Sequence, residues 1–435
     1  MCKTTCEIST QPAERPEHRR DTVRIIIATS IVTALEMFDF TVFGFFAVMI
    51  GDQFFPATDP MTSLLLAVAT FGVGFLMRPL GAMMVGMYAD RVGRRAAMTR
   101  TIWMMALGTA AVGLCPPFAA IGIMAPLIVI AGRSLQGFAL GGDIGVAATF
   151  VMEAGPASRR GFRISWQPSS QGAAALLGAS LGVLLSSTMS PATLASWGWR
   201  IPFIIGLLIA PVGLYVRRRL SENPMPARAA QDSRTPLGEL FREHGTTILL
   251  AMLMMMGQTI PVYAFVYYMP SYVTRVMHMP PLTGFLASAS SALLLVVVPQ
   301  LAGRLVDRMP RRKPLVILSS ACTALLVYPA FLLITHATGL LPVLLGVGLI
   351  SVSIALGAGT VTLLVLEALP ARVRATGIAI AHALNVALFG GTAQFIVTGL
   401  VKWTGNPMSA AWYVTPACLV SFCAVMLFRE RGTGT

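Results

Sequence analysis

The sequence predicts an all-α membrane protein with twelve transmembrane helices in two six-helix bundles. Three observations carry this. Of its 435 residues 55% are hydrophobic and only 11% charged, where soluble domains carry about 25% charged residues. The apolar residues gather into twelve stretches, each of roughly the twenty residues that a helix needs to cross about 30 Å of hydrocarbon. The basic residues fall on every second connection between those stretches.

The stretches run approximately over 24–50, 61–88, 97–115, 120–153, 162–189, 200–216, 246–274, 282–303, 314–335, 340–368, 375–402 and 409–428. The first is too long and too acidic for a cleaved signal segment, and the 23 residues before it hold both signs of charge, so it is expected to stay in the protein. One polar interruption, rich in charge and holding Pro224, Pro226 and Pro236, divides the stretches six and six. The expected organisation is a tail over 1–23, a bundle over 24–216, a central loop over 217–245, a second bundle over 246–428 and a tail over 429–435.

Of the 32 Lys and Arg residues, 27 fall in seven clusters on alternate connections, whereas the other connections hold only Arg200, Arg275 and Lys402. This is the positive-inside pattern. It places both termini and the central loop in the cytoplasm and predicts a multi-pass protein of a bacterial inner (plasma) membrane. The net charge of +14 is therefore topogenic. Seven separate clusters do not make the single basic face that nucleic acid requires. Cys115, Cys322, Cys418 and Cys423 lie in or beside apolar stretches, and Cys2 and Cys6 lie in the tail, so no disulfide framework is expected.

The halves repeat each other's punctuation. The run 86-GMYADRVGRR-95 follows the second stretch and 303-GRLVDRMPRR-312 the eighth. Likewise 153-EAGPASRRGF-162 follows the fourth stretch and 367-EALPARVRATG-377 the tenth. The paired aspartates are 217 residues apart and the paired glutamates 214. Two motifs repeating at nearly one period indicate duplication, a mark of secondary transporters. In these turns glycine permits close helix approach, and the Asp can pair with arginines or with helix-end groups. Gly86, Asp90, Arg91, Gly93, Arg94, Arg95, Asp307 and Arg308 form the candidate cytoplasmic gating motif.

With that repeated loop the chain resembles the major facilitator superfamily, and more narrowly the metabolite:proton symporter family. The residues that carry the resemblance are 36-EMFDF-40, 77-MRPLGAMMVGMYADRVGRR-95, 133-RSLQGFALGGD-143, 160-RGF-162, 197-WGWRIPF-203 and 405-GNPMSAAWY-413. Within that family 43-FGFFA-47, 54-FFPA-57, 165-SWQPSSQ-171 and 269-MPSY-272 look most like the citrate and tricarballylate symporters. The resemblance implies the major facilitator fold, transport by alternating access, and citrate or a related tricarboxylate as cargo.

Inside the spans stand five ionisable residues: Glu36, Asp39, Arg78, Arg133 and Asp143. Each costs about 2.5–3.5 kcal/mol at a helix centre, so such residues face the protein interior or a water-filled path. Three carboxylates against two arginines leave one negative charge unbalanced, which favours a carboxyl that can hold a proton. Glu36 and Asp39 share a helix face at i, i+3. Arg133, Gln136, Leu140 and Asp143 fall within an arc of about 80° at 100° per residue, with Gly137, Gly141 and Gly142 beside them to admit a close neighbour.

The expected roles follow. Arg133 and Arg78 clamp substrate carboxylates, since guanidinium offers bidentate pairing. Gln136, Gln167, Gln171 and Tyr267 orient or enclose the substrate, while Asp39, Glu36 and Asp143 carry or relay the proton. Further polar candidates in the second half are Gln258, Tyr263, Tyr268, His382, Asn385 and Gln394.

There is no phosphate-binding glycine loop, zinc-ligand spacing or nucleophile set, so no enzyme, cofactor or metal is expected. The expected partners are a small organic anion, the proton and the lipid bilayer, with a monomeric chain. Other readings on the same scaffold are a dicarboxylate, an aromatic acid or a zwitterion such as betaine, or export of an organic acid. A membrane sensor or enzyme would need an output domain or a catalytic set that the sequence does not display.

Overall fold

Helices occupy all twelve apolar stretches in the computed structural model, which describes residues 16–92, 94–142, 152, 157–208, 210–213 and 237–430. Among those residues eight helices are long and apolar enough to cross a membrane: Pro60–Val85, Arg160–Thr188, Arg242–Tyr267, Pro281–Asp307, Lys313–Thr335, Leu340–Ala368, Val373–Thr404 and Ser409–Leu427. The first stretch holds the pair Thr33–Phe45 and Ala47–Phe54, which is long and apolar enough only when taken together and is bent by 65° between its two parts. The third, fourth and sixth stretches hold Arg94–Gly113, Met124–Ala139 and Gly198–Gly213. Most of the central loop, Asp143 and Gly93 lie outside the described residues, as do the side chains of Asp90, Arg91, Arg94 and Arg95.

Three breaks shape the interior. At the bend of the first span Phe46 packs on Phe285 of the eighth, and Phe54 meets Trp199 of the sixth edge-on. In the seventh span Pro261 supplies no N–H, and the helix widens into a π-turn over Tyr263–Tyr267, closed by Tyr268 N donating to Tyr263 O at 3.0 Å. A second π-turn, Val386–Gly390, interrupts the eleventh span.

The second and fourth spans approach more closely than side chains would allow. A Cβ on Gly137 would lie 1.7 Å from Gly74 O, and one on Gly81 1.9 Å from Phe138 O. Gly141 stands against the backbone of Arg78 in the same way. This glycine seam, part of which the fourth-span pattern anticipated, brings Arg78 and Arg133 to one level of the interior.

The halves are tied at both ends. At the end that carries the basic loops, the Asp307 carboxylate accepts the N–H groups of Gly161 (2.7 Å) and Phe162 (2.9 Å). Glu367 pairs with Arg160 at 3.6 Å and with Arg312. At the opposite end Arg275 pairs with Asp52, and Lys402 with Asp59 (3.1 Å) and Thr62. Asp59 also caps the second span by accepting from Met61 N at 3.0 Å. The Thr62 hydroxyl, then Lys402 and the Met61 N–H, hold its carboxyl down to about 2.

Two outcomes follow for folding. Gly137→Ala drives a methyl into a backbone carbonyl, so it should cost about 1–3 kcal/mol or more. That is visible as a lower unfolding midpoint in detergent, whereas Gly245→Ala, inside the helix Leu237–Val262 with nothing within 4 Å of its Cβ, should leave the midpoint unchanged or raise it by the equivalent of about 0.4–1 kcal/mol. The Asp59 contribution is present above the ordinary carboxyl range and is lost only as pH falls from about 4 towards 2. The drop in midpoint caused by Lys402→Met should therefore be the same at pH 5 and pH 8.

Candidate functional site

Burial of Arg133 organises the centre of the molecule. Its side chain is fully buried, as are Asp39 and Gln136. Arg133 Nη1 lies 3.4 Å from Asp39 Oδ2 and donates to Gln136 Oε1 at 2.8 Å. The Gln136 amide donates in turn to Asp39 Oδ2 and, at 3.0 Å, to Thr109 Oγ1. Thr109 completes the chain by donating to Met105 O at 2.9 Å. Spans one, three and four thus share one closed polar network in the apolar interior.

Aromatic faces complete the setting. The Arg133 guanidinium carbon sits 4.2 Å from the Phe40 ring centre, 4.4 Å from Phe43 and 5.5 Å from Phe71. The Arg78 guanidinium sits 4.8 Å from Phe40 and 4.2 Å from Phe75. Phe40 is therefore flanked by both cations, an arrangement that ring quadrupoles stabilise by about 0.5–2 kcal/mol per contact. The second half closes over them with Tyr263, whose ring lies 5.6 Å from Phe75 and 5.0 Å from Tyr267.

Hydrogen bonding around the two arginines is incomplete. Nε and Nη2 of Arg133, and the same two atoms of Arg78, are buried without a partner, as is Asp39 Oδ1. Nε and Nη2 form the side edge of a guanidinium, the edge on which a carboxylate docks with two parallel hydrogen bonds. Two such edges therefore stand available in one aromatic-lined site.

The other expected residues divide by position. Glu36 is half-buried, one turn from Asp39 and within electrostatic reach of Arg78. Tyr267 is buried in the π-turn against Phe45. Gln167 and Gln171 lie one turn apart on the fifth span, half-buried. At 100° per residue both fall within about 20° of Gly178, which faces Val42 and Phe45 of the first span. They point to that span towards its basic end, the direction in which Asp39 and Glu36 lie. Gln136 is held by three partners within the protein, so it braces Arg133 and Asp39 rather than presenting a free amide. Asp307 binds the backbone across the halves, whereas Asp143 falls outside the described residues.

Sequence reasoning did not single out Thr109 or the four phenylalanines. Thr109 is one hydroxyl in an apolar span. The phenylalanines did leave a pattern: Phe71, Phe75 and Arg78 follow at i, i+4 and i+7, and Phe40 and Phe43 at i, i+3, each set on one helix face.

A sequence profile of the Major Facilitator Superfamily matches residues 29–393. The citrate-proton symporter of Klebsiella pneumoniae is 33% identical over 406 residues, covering 91% of this chain and 89% of that protein. The proline/betaine transporter of Escherichia coli (strain K12) is 32% identical, covering 94% and 83%. The alpha-ketoglutarate permease of the same organism is 30% identical, covering 100% and 99%. Among solved structures, a D-xylose-proton symporter superposes with a TM-score of 0.75 at 17% identity, over 95% of this chain and 99% of that one. The chain belongs to the major facilitator superfamily, with its all-α fold, and is a multi-pass membrane transporter rather than an enzyme.

Proposed function

We propose that this carrier moves a small organic polycarboxylate together with protons, with citrate or a related tricarboxylate as the cargo. The observation that supports it most is the pair of unpartnered guanidinium side edges on Arg133 and Arg78. A buried donor that lacks an acceptor costs about 1–3 kcal/mol, more when it is charged. A ligand with two or three carboxylates supplies acceptors to both edges at once. The curated relatives that include citrate-proton symporters support the same class.

Asp39 gives the proton a physical role. With Asp39 ionised, Arg133 has its counter-ion inside the protein. A proton on Asp39 removes that counter-ion and leaves a buried cation that only an anion can balance. Proton and substrate then strengthen each other's binding reciprocally. Proton entry also offsets the work of moving anionic charge against a negative-inside potential, about 2.3 kcal/mol per charge per 100 mV. Glu36, beside Arg78, extends the proton relay towards the basic end, which the positive-inside pattern takes as cytoplasmic, with both termini there. The six-helix units over 24–216 and 246–428 rock about this centre while Gln167 and Gln171 line the fifth-span wall.

A zwitterion such as betaine is the second reading, supported by the proline/betaine relatives and by the aromatic lining. The guanidinium groups already stack on Phe40, Phe43, Phe71 and Phe75, which leaves Tyr263 and Tyr267 to meet a quaternary ammonium.

Uptake into vesicles, acid outside, decides between them. Labelled citrate should accumulate, and unlabelled tricarballylate or 2-oxoglutarate should compete, while betaine should not. Betaine accumulation without citrate accumulation removes the anion reading, and citrate entry indifferent to the pH gradient removes proton coupling. Asp39→Asn should abolish gradient-driven accumulation yet retain citrate counterflow, and wild-type accumulation in that variant would remove Asp39 from the coupling role. Arg133→Lys, which cannot pair bidentately, should raise the citrate KM at least about tenfold.

A further inference from the structure

Gln394 of the eleventh span is fully buried, and both its Oε1 and its Nε2 lack a partner. Its place is specific. A Cβ built on Gly44 would lie 3.3 Å from Gln394 Nε2, 3.5 Å from Tyr267 O and 3.7 Å from the Phe71 ring. The amide and the Phe71 ring, beside which Arg133 sits, therefore both border Gly44, and the amide comes from the opposite half of the molecule. The turn that presents it is pinned by Thr398, whose hydroxyl donates to Gln394 O at 2.7 Å and also contacts the Tyr268 hydroxyl at 2.7 Å. The π-turn at Val386–Gly390 just before it inserts an extra residue into the helix and so rotates the face that follows. Gly44 leaves room for the amide, and Gly391, one turn back, packs on Phe75.

The chemistry of an amide with both ends open is narrower than that of a guanidinium. Oε1 needs a donor and Nε2 an acceptor. A carboxylate only accepts, and a trimethylammonium group does neither. An alcohol beside a carboxylate does both. We infer that Gln394 is the specificity residue of the second half, and that it selects hydroxy acids by accepting a hydrogen bond from the substrate hydroxyl while donating to the adjacent carboxylate. This rests on the polycarboxylate reading above, with Arg133 and Arg78 holding the remaining carboxylates. It also gives the charge-poor half a direct hold on the substrate, so that one ligand bridges the two halves.

The test compares citrate with tricarballylate, which has the same three carboxylates and no hydroxyl. A site built to bond a hydroxyl discriminates strongly against the analogue that lacks it. In wild-type vesicles kcat/KM for citrate should exceed that for tricarballylate by about tenfold or more. Gln394→Met, close in size and unable to hydrogen-bond in this way, should bring the two within about twofold, because citrate loses two hydrogen bonds and tricarballylate only the one to its carboxylate, and a measurable tricarballylate rate should remain. That retained rate also reports a folded protein. If Gln394→Met lowers both substrates equally, Gln394 serves packing and the inference is overturned. A wild-type ratio within twofold overturns it without any variant. Transport of neither tricarboxylate overturns the polycarboxylate reading together with it, an outcome distinct from the other two.

Discussion

A guanidinium buried at the centre of a membrane protein constrains everything around it. Arg133 has no access to water, so its charge, its Nη1 and its faces are met by protein, while Nε and Nη2 are left open. Charge is balanced by Asp39, orientation comes from Gln136 with Thr109 behind it, and its faces are covered by phenylalanine rings. Removing one member of a buried pair leaves an uncompensated charge, at a cost of about 3–5 kcal/mol. The three spans that share this network are therefore held in one arrangement. The glycine seam between the second and fourth spans serves the same end, because only a backbone-to-backbone approach brings Arg78 level with Arg133.

The charges sit in the first half, and the second half answers with neutral groups: Tyr263, Tyr267, Asn385 and Gln394. Under the proposed reading this asymmetry divides the labour. The first half carries the ions, with Arg133 balanced by Asp39 or by the substrate, and the second moves across a site to which it contributes hydrogen bonds but no charge. The ties that must break in such a movement are at the ends. Asp52–Arg275, Asp59–Lys402 and Arg160–Glu367 are partly exposed, and exposed ion pairs contribute about 0–1 kcal/mol each. Contacts this weak can close either end without locking it.

Much of the centre was legible because charge in an apolar span is rare and costly. Asp39, Arg133 and Arg78 stood out on that ground, and the structure brings Asp39 and Arg133 into contact. The repeated loop also pointed to Asp307, whose partners are helix-end N–H groups, as expected for such an Asp, although they come from the other half. Gln136 was read as a group free to meet substrate, yet the fold occupies its amide on both sides. Thr109, and the role of the phenylalanines beside the arginines, were missed for a different reason. In a chain that is 55% hydrophobic, a ring that supports a cation has the same local signature as a ring that fills space.

The all-α membrane fold and the helical character of the apolar stretches were readable from the chain, because each residue is matched to lipid or water largely one at a time. Pairing is different in kind. Which acid meets Arg133, which rings it lies on, and that Gln394 comes beside Gly44 all depend on how separate helices are rotated and how near they come. The bend at Phe46, the π-turns at Tyr263–Tyr267 and Val386–Gly390 and the contact of Gly74 with Gly137 fix those rotations. They are backbone events that no hydropathy or charge pattern encodes, and the rotations they set act between segments far apart in the chain.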